Sequence, residues 1–248
     1  MQFTISARDK KAHQPIQQFI KQHFSDIPID QIESFFGFTT YTSLYGGRIW
    51  NNDRVNGAEL SNYDLRSMYK MNIALRLPLT NHDASLEEYK SNLPFLEKHY
   101  RPGNAVIVTN DNLAQWIRTD FPDYHLEASV IKNIRSLKKI EKAVKIYDTV
   151  VLPMSCNEDE PFLRSIEDKS IIRLFANAGC ALTCPSKLCY PSISRANKVK
   201  DSALFQCSQP LKYRELLGMV DFDLDYLQSL GFQRFKLLRA QKGDMTGF

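Results

Sequence analysis

Residues 125–177 read HLEASVIKNIRSLKKIEKAVKIYDTVVLPMSCNEDEPFLRSIEDKSIIRLFAN, and their pattern decides the fold. Three short apolar runs stand in this stretch, at 125–130, 149–153 and 171–177. Between them, 136–146 and 160–168 carry apolar residues at helical spacing. Strand and helix in strict alternation argue for βαβ units and a parallel sheet.

The alternation continues outward. Further runs lie at 32–38, 72–80, 105–109 and 232–238, and 216–220 is a weaker candidate strand. Ser85 caps a predicted helix over 86–100, with Glu87 and Glu88 in its first turn. Asn110 or Asp111 caps another through Trp116 and Ile117. The last predicted helix, 223–230, stops at Gly231. Residues 13–24 place Ile16, Phe19, Ile20 and Phe24 on one helical face behind Pro15. About eight strands in ~250 residues is the size of a (β/α)8 TIM-type barrel. An open doubly wound sheet is the weaker alternative, because no glycine-rich turn follows an early strand. The reading is one barrel domain over 1–248 with an N-terminal helical extension at about 1–30. The tail after Lys236 shows no apolar periodicity, which leaves the barrel incomplete at its C-terminal helix. Residues 39–61, rich in Gly and Asn, read as a functional loop after the first recognised strand.

Composition narrows the class. At 43% hydrophobic and 24% charged residues the chain can bury a core, which excludes a disordered protein. A formal net charge of +4 is too small to imply nucleic acid by itself. No apolar run approaches the roughly 18–20 residues of a membrane span. The first eleven residues lack the apolar core of a signal peptide. A cytoplasmic protein with reduced thiols is expected.

Barrel strands send alternate residues outward to the helices and inward to the axis. In 72–80 the outward set is Ile73, Leu75, Leu77 and Leu79, so Arg76 points inward. The same phase turns Glu127 and Ser129 inward in 125–130 and Arg173 inward in 171–177, where Asn177 closes the strand. It turns Arg234 and Lys236 inward in 232–238. Counted from residue 32, these strands are the second, fourth, sixth and eighth, which share a layer in this fold. Arg76, Glu127, Arg173 and Lys236 are therefore expected to form a charged layer. Buried charges must pair or meet a ligand. Two readings fit: a substrate-binding site for an anionic or carboxylate-bearing molecule, lined also by Asn177, or a barrel floor closed by salt bridges.

The stretch 177–189, NAGCALTCPSKLC, is the most informative for chemistry. With Cys207 it gives C-x3-C-x4-C-x17-C over Cys180, Cys184, Cys189 and Cys207. Four thiolates can hold a 4Fe-4S cluster or a tetrahedral zinc. The lone fourth cysteine lacks the paired spacing of structural zinc, so iron–sulfur is preferred and zinc is the alternative. A set of free cysteines is the plain reading. Cys156, in PMSCNED after a strand, is a candidate nucleophile without an evident histidine to activate it. His82 is the histidine placed nearest the functional face. Residues 132–145 carry six cations against Glu141, either a solvated helix face or an RNA-tracking patch.

ASV after a strand, then TVVLPMSCNED, FANAGCALTCPSKLC and GFQRFKLL, resemble the collagenase-like peptidase family over roughly residues 60–239. The resemblance implies a (β/α)8 barrel and a 4Fe-4S cluster on four cysteines. It also implies an oxygen-independent hydroxylation of an organic or RNA substrate. Cys180 and Cys184 match the family's cysteine loop, with Cys207 a later ligand. A peptidase acting on protein or peptide substrates, and a non-catalytic binding subunit of a hetero-oligomer, are the alternative functions.

Overall fold

A computed structural model describes residues 1–8, 10–47, 59–184, 186–209 and 219–238. The elements run β1 (Gln2–Ser6), α1 (Ile16–His23), β2 (Ile32–Phe36), α2 (Asn62–Lys70), β3 (Ala74–Leu79), α3 (Leu86–Ser91) and α4 (Leu93–His99). They continue with β4 (Ala105–Val108), α5 (Asp111–Asp120), β5 (His125–Ala128), α6 (Leu137–Ala143), β6 (Thr149–Val151), α7 (Glu160–Ser165) and β7 (Ile172–Phe175). Then come β8 (Asn177–Ala178), α8 (Cys189–Val199), β9 (Val220–Asp221), α9 (Leu224–Ser229) and β10 (Arg234–Leu237). The strands β1, β2, β3, β4, β5, β6, β7 and β10 close into a barrel in that order, β10 returning to β1. Every pairing in the barrel is parallel. Helices follow most strands and cover the cylinder, so this is a (β/α)8 TIM-type barrel.

The apolar periodicities explain the packing. Strand β4, AVIV, is buried at all four positions, as a parallel strand covered by helices on one side and packed on the barrel interior on the other must be. Helix α1 buries Ile16, Phe19 and Ile20 at i, i+3 and i+4. Capping is local and explicit. Ser61 with Asp64 and Ser85 with Glu88 form reciprocal capping boxes at α2 and α3. Asp64 does a second job: its carboxylate accepts from Ile16 N at 2.9 Å and pairs with Lys10 Nζ at 3.0 Å, tying the start of α1 to α2.

Several expectations change. The N-terminus is not a helical extension over 1–30. Gln2–Ser6 is the first barrel strand, held between β10 and β2. Its period-2 pattern, Phe3 and Ile5 against Thr4 and Ser6, is short and half polar because Thr4 and Ser6 face a polar interior. Helix α1 is then the connection between the first two strands. The predicted helix 86–100 is two helices: Pro94 enters the first turn of α4, and Asn92 stands between them. Of the weak strand at 216–220, residues 216–218 lie outside the described residues. Val220 belongs to the two-stranded β8–β9 ribbon, outside the barrel. The tail beyond residue 238, where a last helix was expected to be missing, also lies outside the described residues. Helix α8 was not expected at all. Gly231, at φ +100°, closes α9 as its sequence position implied. No helix among the described residues is long and apolar enough to cross a membrane.

Residues 37–47, which follow β2, fold over the C-terminal end of the barrel. Asn81, buried at the end of β3, donates its side-chain amide to Ser43 O at 3.0 Å, Tyr45 O at 3.3 Å and Ser194 O at 3.0 Å. Asn197 on α8 holds Tyr45 O from the other side at 2.9 Å. Gly46 lies so close to β3 that a Cβ there would stand 2.1 Å from Thr80 O. Gly46→Ala must therefore push the loop off the strand end. A loss of about 1–3 kcal/mol is expected, the range of overpacked sites. Urea unfolding measures it, and an unchanged midpoint would show that the loop is not seated as described.

Candidate functional site

The interior begins with a layer of charge. Glu127 on β5, fully buried, receives Arg76 Nη1 at 3.2 Å and Arg173 Nε at 3.0 Å on Oε2. Its Oε1 faces Lys236 Nζ at 3.1 Å. A second carboxylate, Glu33, pairs with Arg76 Nη2 at 2.6 Å, Arg173 Nη1 at 2.8 Å and Arg234 Nη2 at 3.0 Å. Hydroxyls complete the layer. Arg76 Nε donates to Ser34 Oγ at 2.6 Å, and Ser34 Oγ lies 2.8 Å from Thr4 Oγ1. Arg234 Nη1 donates to Thr149 Oγ1 at 2.8 Å, which is also 2.7 Å from His125 Nε2.

The expected layer of Arg76, Glu127, Arg173 and Lys236 is thus brought together. Glu33 was missed, and a backbone irregularity explains why. Phe3 stands opposite Ile32 but Thr4 opposite Ser34, so Glu33 is the extra residue of a β-bulge. Strict alternation would turn Glu33 away from Ser34; the bulge lets both side chains face inward. The strand count also moves. With β1 added, Arg76, Glu127 and Arg173 lie on the third, fifth and seventh barrel strands, and Lys236 lies on the eighth.

Four cations, Arg76, Arg173, Arg234 and Lys236, meet two carboxylates, Glu33 and Glu127. The layer keeps a local surplus of positive charge. Arg173 Nη2 has no hydrogen-bond partner among the described residues. Burial alone would raise the Glu127 carboxyl, but Lys236, Arg173 and Arg76 together hold it far below the usual carboxylate range. Glu33 behaves likewise: burial opposes ionisation, Arg76 and Arg173 outweigh it, and the carboxyl falls to about 2. Burial pushes Lys236 below an ordinary lysine; Glu127 opposes this, while Arg173 and Arg76 reinforce it.

Above this layer lies a cavity of about 270 Å³, largely apolar, at the C-terminal ends of the strands. This is the face that carries chemistry in such barrels. Ser6 on β1, Phe36 on β2, Pro78 on β3, Ile107 on β4, Phe175 on β7 and Lys236 on β10 line it from the barrel strands. Arg8, Glu59, Gly46 and Gly47 line it from the loops after β1 and β2. Gly179, Cys180 and Ala181 line it from the cysteine stretch. Of the predicted substrate-binding residues only Lys236 reaches this cavity. Arg76, Glu127 and Arg173 do not line it, and their hydrogen bonds are to one another, to Glu33, to Ser34 and to Lys236. Asn177 ties the strand ends together, its side-chain oxygen accepting from Leu238 N at 3.0 Å.

No disulfide joins the cysteines. Cys180 reaches the cavity wall. Cys184 Sγ lies 3.5 Å from Ser208 Oγ and accepts from Lys187 N at 3.4 Å. Cys207 Sγ accepts from Gln209 N at 3.4 Å. Cys189 is buried in the first turn of α8 rather than in an irregular loop. No three Cys, His, Asp or Glu side chains among the described residues converge as a metal site. Cys156 is 3% exposed, and burial pushes its thiol up to about 11. It does not line the cavity, so it is a poor nucleophile in this arrangement. His82 holds the Ser194 hydroxyl at 2.9 Å through Nδ1, and it too lies off the cavity wall. On the basic helix, Lys132 turns back to Asp111 at 2.6 Å. Arg135, Lys138, Lys139, Lys142 and Lys145 are exposed, and so are Leu137 and Val144.

Fold and site together define a closed β/α barrel with a ligand-sized apolar mouth above an ionic floor. No family model matches the chain, and no curated protein matches it. Among solved structures it is similar to the U32 peptidase Mk0906, with a TM-score of 0.58 over 98% of this chain and 94% of that one. At 10% identity the likeness is one of fold. It supports the barrel architecture implied by the collagenase-like peptidase resemblance.

The ionic floor predicts an acid-sensitive fold. Glu33 titrates at about 2 when folded against an ordinary 4.5, so its stabilisation is complete above about pH 5. It is lost as pH falls from 4.5 towards 2. Urea midpoints followed from pH 6 to pH 3 should drop more steeply for the wild-type chain than for Glu33→Gln. Parallel curves would remove Glu33 from the stabilising network.

Proposed function

We propose that this chain binds an anionic organic molecule in the mouth cavity and takes part in a redox modification of it, hydroxylation being the class the family resemblance implies. One observation carries the binding half of this reading: Lys236, a buried lysine paired with Glu127, lines a largely apolar cavity at the strand ends. The layer beneath it holds surplus positive charge, and an apolar surround strengthens attraction to an anion. An apolar body would fill the space between Phe36 and Ile107, while its carboxylate or phosphate meets Lys236. A charge-assisted hydrogen bond of this kind contributes about 1.5–3 kcal/mol, roughly a tenfold to hundredfold change in Kd. Titration calorimetry with 1-naphthoate, a small apolar carboxylate, should show one site. Lys236→Met should weaken it by that factor. Equal affinity in both chains would discard the assignment of Lys236.

The redox half rests on the cysteines. Cys180, Cys184, Cys189 and Cys207 are the proposed ligands of a 4Fe-4S cluster, which would supply one-electron chemistry beside the cavity. Contact between Cys184 and Ser208 supports this, because it brings the neighbour of the late cysteine to the early loop. As arranged, however, the four thiols do not form a ligand set, and no step of binding is assigned to the cluster. Protein isolated without oxygen should be brown and contain iron and acid-labile sulfide, with both reduced in Cys184→Ser. Colourless protein with all four thiols titratable would remove the cluster. The peptidase reading has less support, since Cys156 is buried with a raised thiol and no histidine lines the cavity among the described residues.

A further inference from the structure

We propose that Lys236 is an amine nucleophile that condenses reversibly with the carbonyl group of an oxo acid held in the mouth cavity. This rests on the cavity being the ligand site and goes further, since it names the ligand's second functional group and a covalent step.

The composition of the ionic floor points to it. Arg76, Arg173 and Arg234 cannot give up a proton under ordinary conditions, whereas a lysine can. Of the four cations in the floor, Lys236 is thus the one able to become a neutral amine, and it is the one that lines the cavity. Among the described residues, two groups hold it and two oppose it. Glu127 Oε1 at 3.1 Å and the Phe36 ring, 4.4 Å from Nζ, hold the ammonium. Arg76 and Arg173, together with burial, favour its deprotonation. Loss of the proton does not strand Glu127, because Oε2 keeps both arginines. A surface lysine has no such arrangement: its charge is solvated, and its amine is protonated at neutral pH.

The step balances without a further reagent. The ammonium first passes one proton to Glu127 Oε1, 3.1 Å away. The freed Nζ lone pair attacks the carbonyl carbon, a C–N bond forms, the C=O π pair moves to oxygen, and Glu127 hands its proton on to that oxygen. That oxygen takes up two of the three ammonium protons and leaves as water. The product is a protonated imine, R–NH⁺=C, so positive charge remains opposite Glu127 Oε1. The ion pair that holds the ammonium also holds the iminium, and the apolar walls limit the water that would hydrolyse it. The carboxylate of the oxo acid meets the surplus positive charge of the floor and Arg8, which lines the same cavity.

The test is reductive trapping on the full chain with phenylpyruvate and sodium borohydride, mapped by peptide mass spectrometry. Lys138 and Lys139, both exposed, serve as internal standards of ordinary lysine reactivity. Lys236 should carry the reduced adduct about tenfold or more above either standard, as a positioned group should. Prior saturation with 1-naphthoate should suppress the Lys236 adduct and leave the standards unchanged. An unmodified Lys236 in protein that binds 1-naphthoate would overturn the amine proposal and leave the binding site standing. Labelling at Lys236 no greater than at the standards would also overturn it. Loss of both naphthoate binding and the adduct would overturn the two readings together.

Discussion

The carboxylate of Glu127 sits where three barrel strands direct cations at one point. Without it, Arg76, Arg173 and Lys236 would face one another inside the cylinder, and like charges at that spacing and burial are not tolerated. Glu33 repeats the device one step nearer the strand starts, bridging Arg76, Arg173 and Arg234. The two carboxylates connect strands far apart in sequence: Glu33 reaches Arg234 across 201 positions and Arg173 across 140. A barrel interior filled this way is specific in its register, because slipping β3, β5, β7 or β10 by one residue would leave a charge on the apolar outer face.

The same floor prepares the mouth. It is the reason a lysine can stand at the base of an apolar cavity, since Glu127 Oε1 compensates its charge from below. It also leaves four cations against two carboxylates, so the field above the floor favours an anion. The loops then supply the walls. Asn81 and Asn197 hold the loop after β2 over the opening, and the cysteine stretch closes it on the side of β7. Binding, the proposed imine and the proposed redox step would all use this one end of the barrel, while the opposite end is devoted to stability.

How much of this was legible varies by element. The inward phase of Arg76, Glu127, Arg173 and Lys236 could be read because each lies between outward apolar neighbours, and period two then carries it on to Arg234. Strand β1 escaped because its inward positions are Thr4 and Ser6, which make a strand look like a polar terminus. Glu33 escaped because a bulge breaks the period at the very residue that matters. Helix α8 escaped because Cys189, Pro191, Ser192 and Ser194 hide its apolar stripe of Ile193 and Ala196. What Arg173 and Asn177 meet was hidden for a similar reason: Arg173 pairs with Glu127 and Glu33, and Asn177 accepts from Leu238 N. Alternation tells which face a residue takes, and not what stands opposite it.

From its residues alone the chain already specified a parallel barrel, a charged interior and a cysteine-bearing stretch near the functional end. These follow from local periodicity and composition, which act over a few residues. Partners across the barrel, the second carboxylate, the depth of each charge and the position of Lys236 beneath a cavity were decided by tertiary structure. They depend on closure of the sheet, because only closure brings side chains from remote strands within hydrogen-bonding distance.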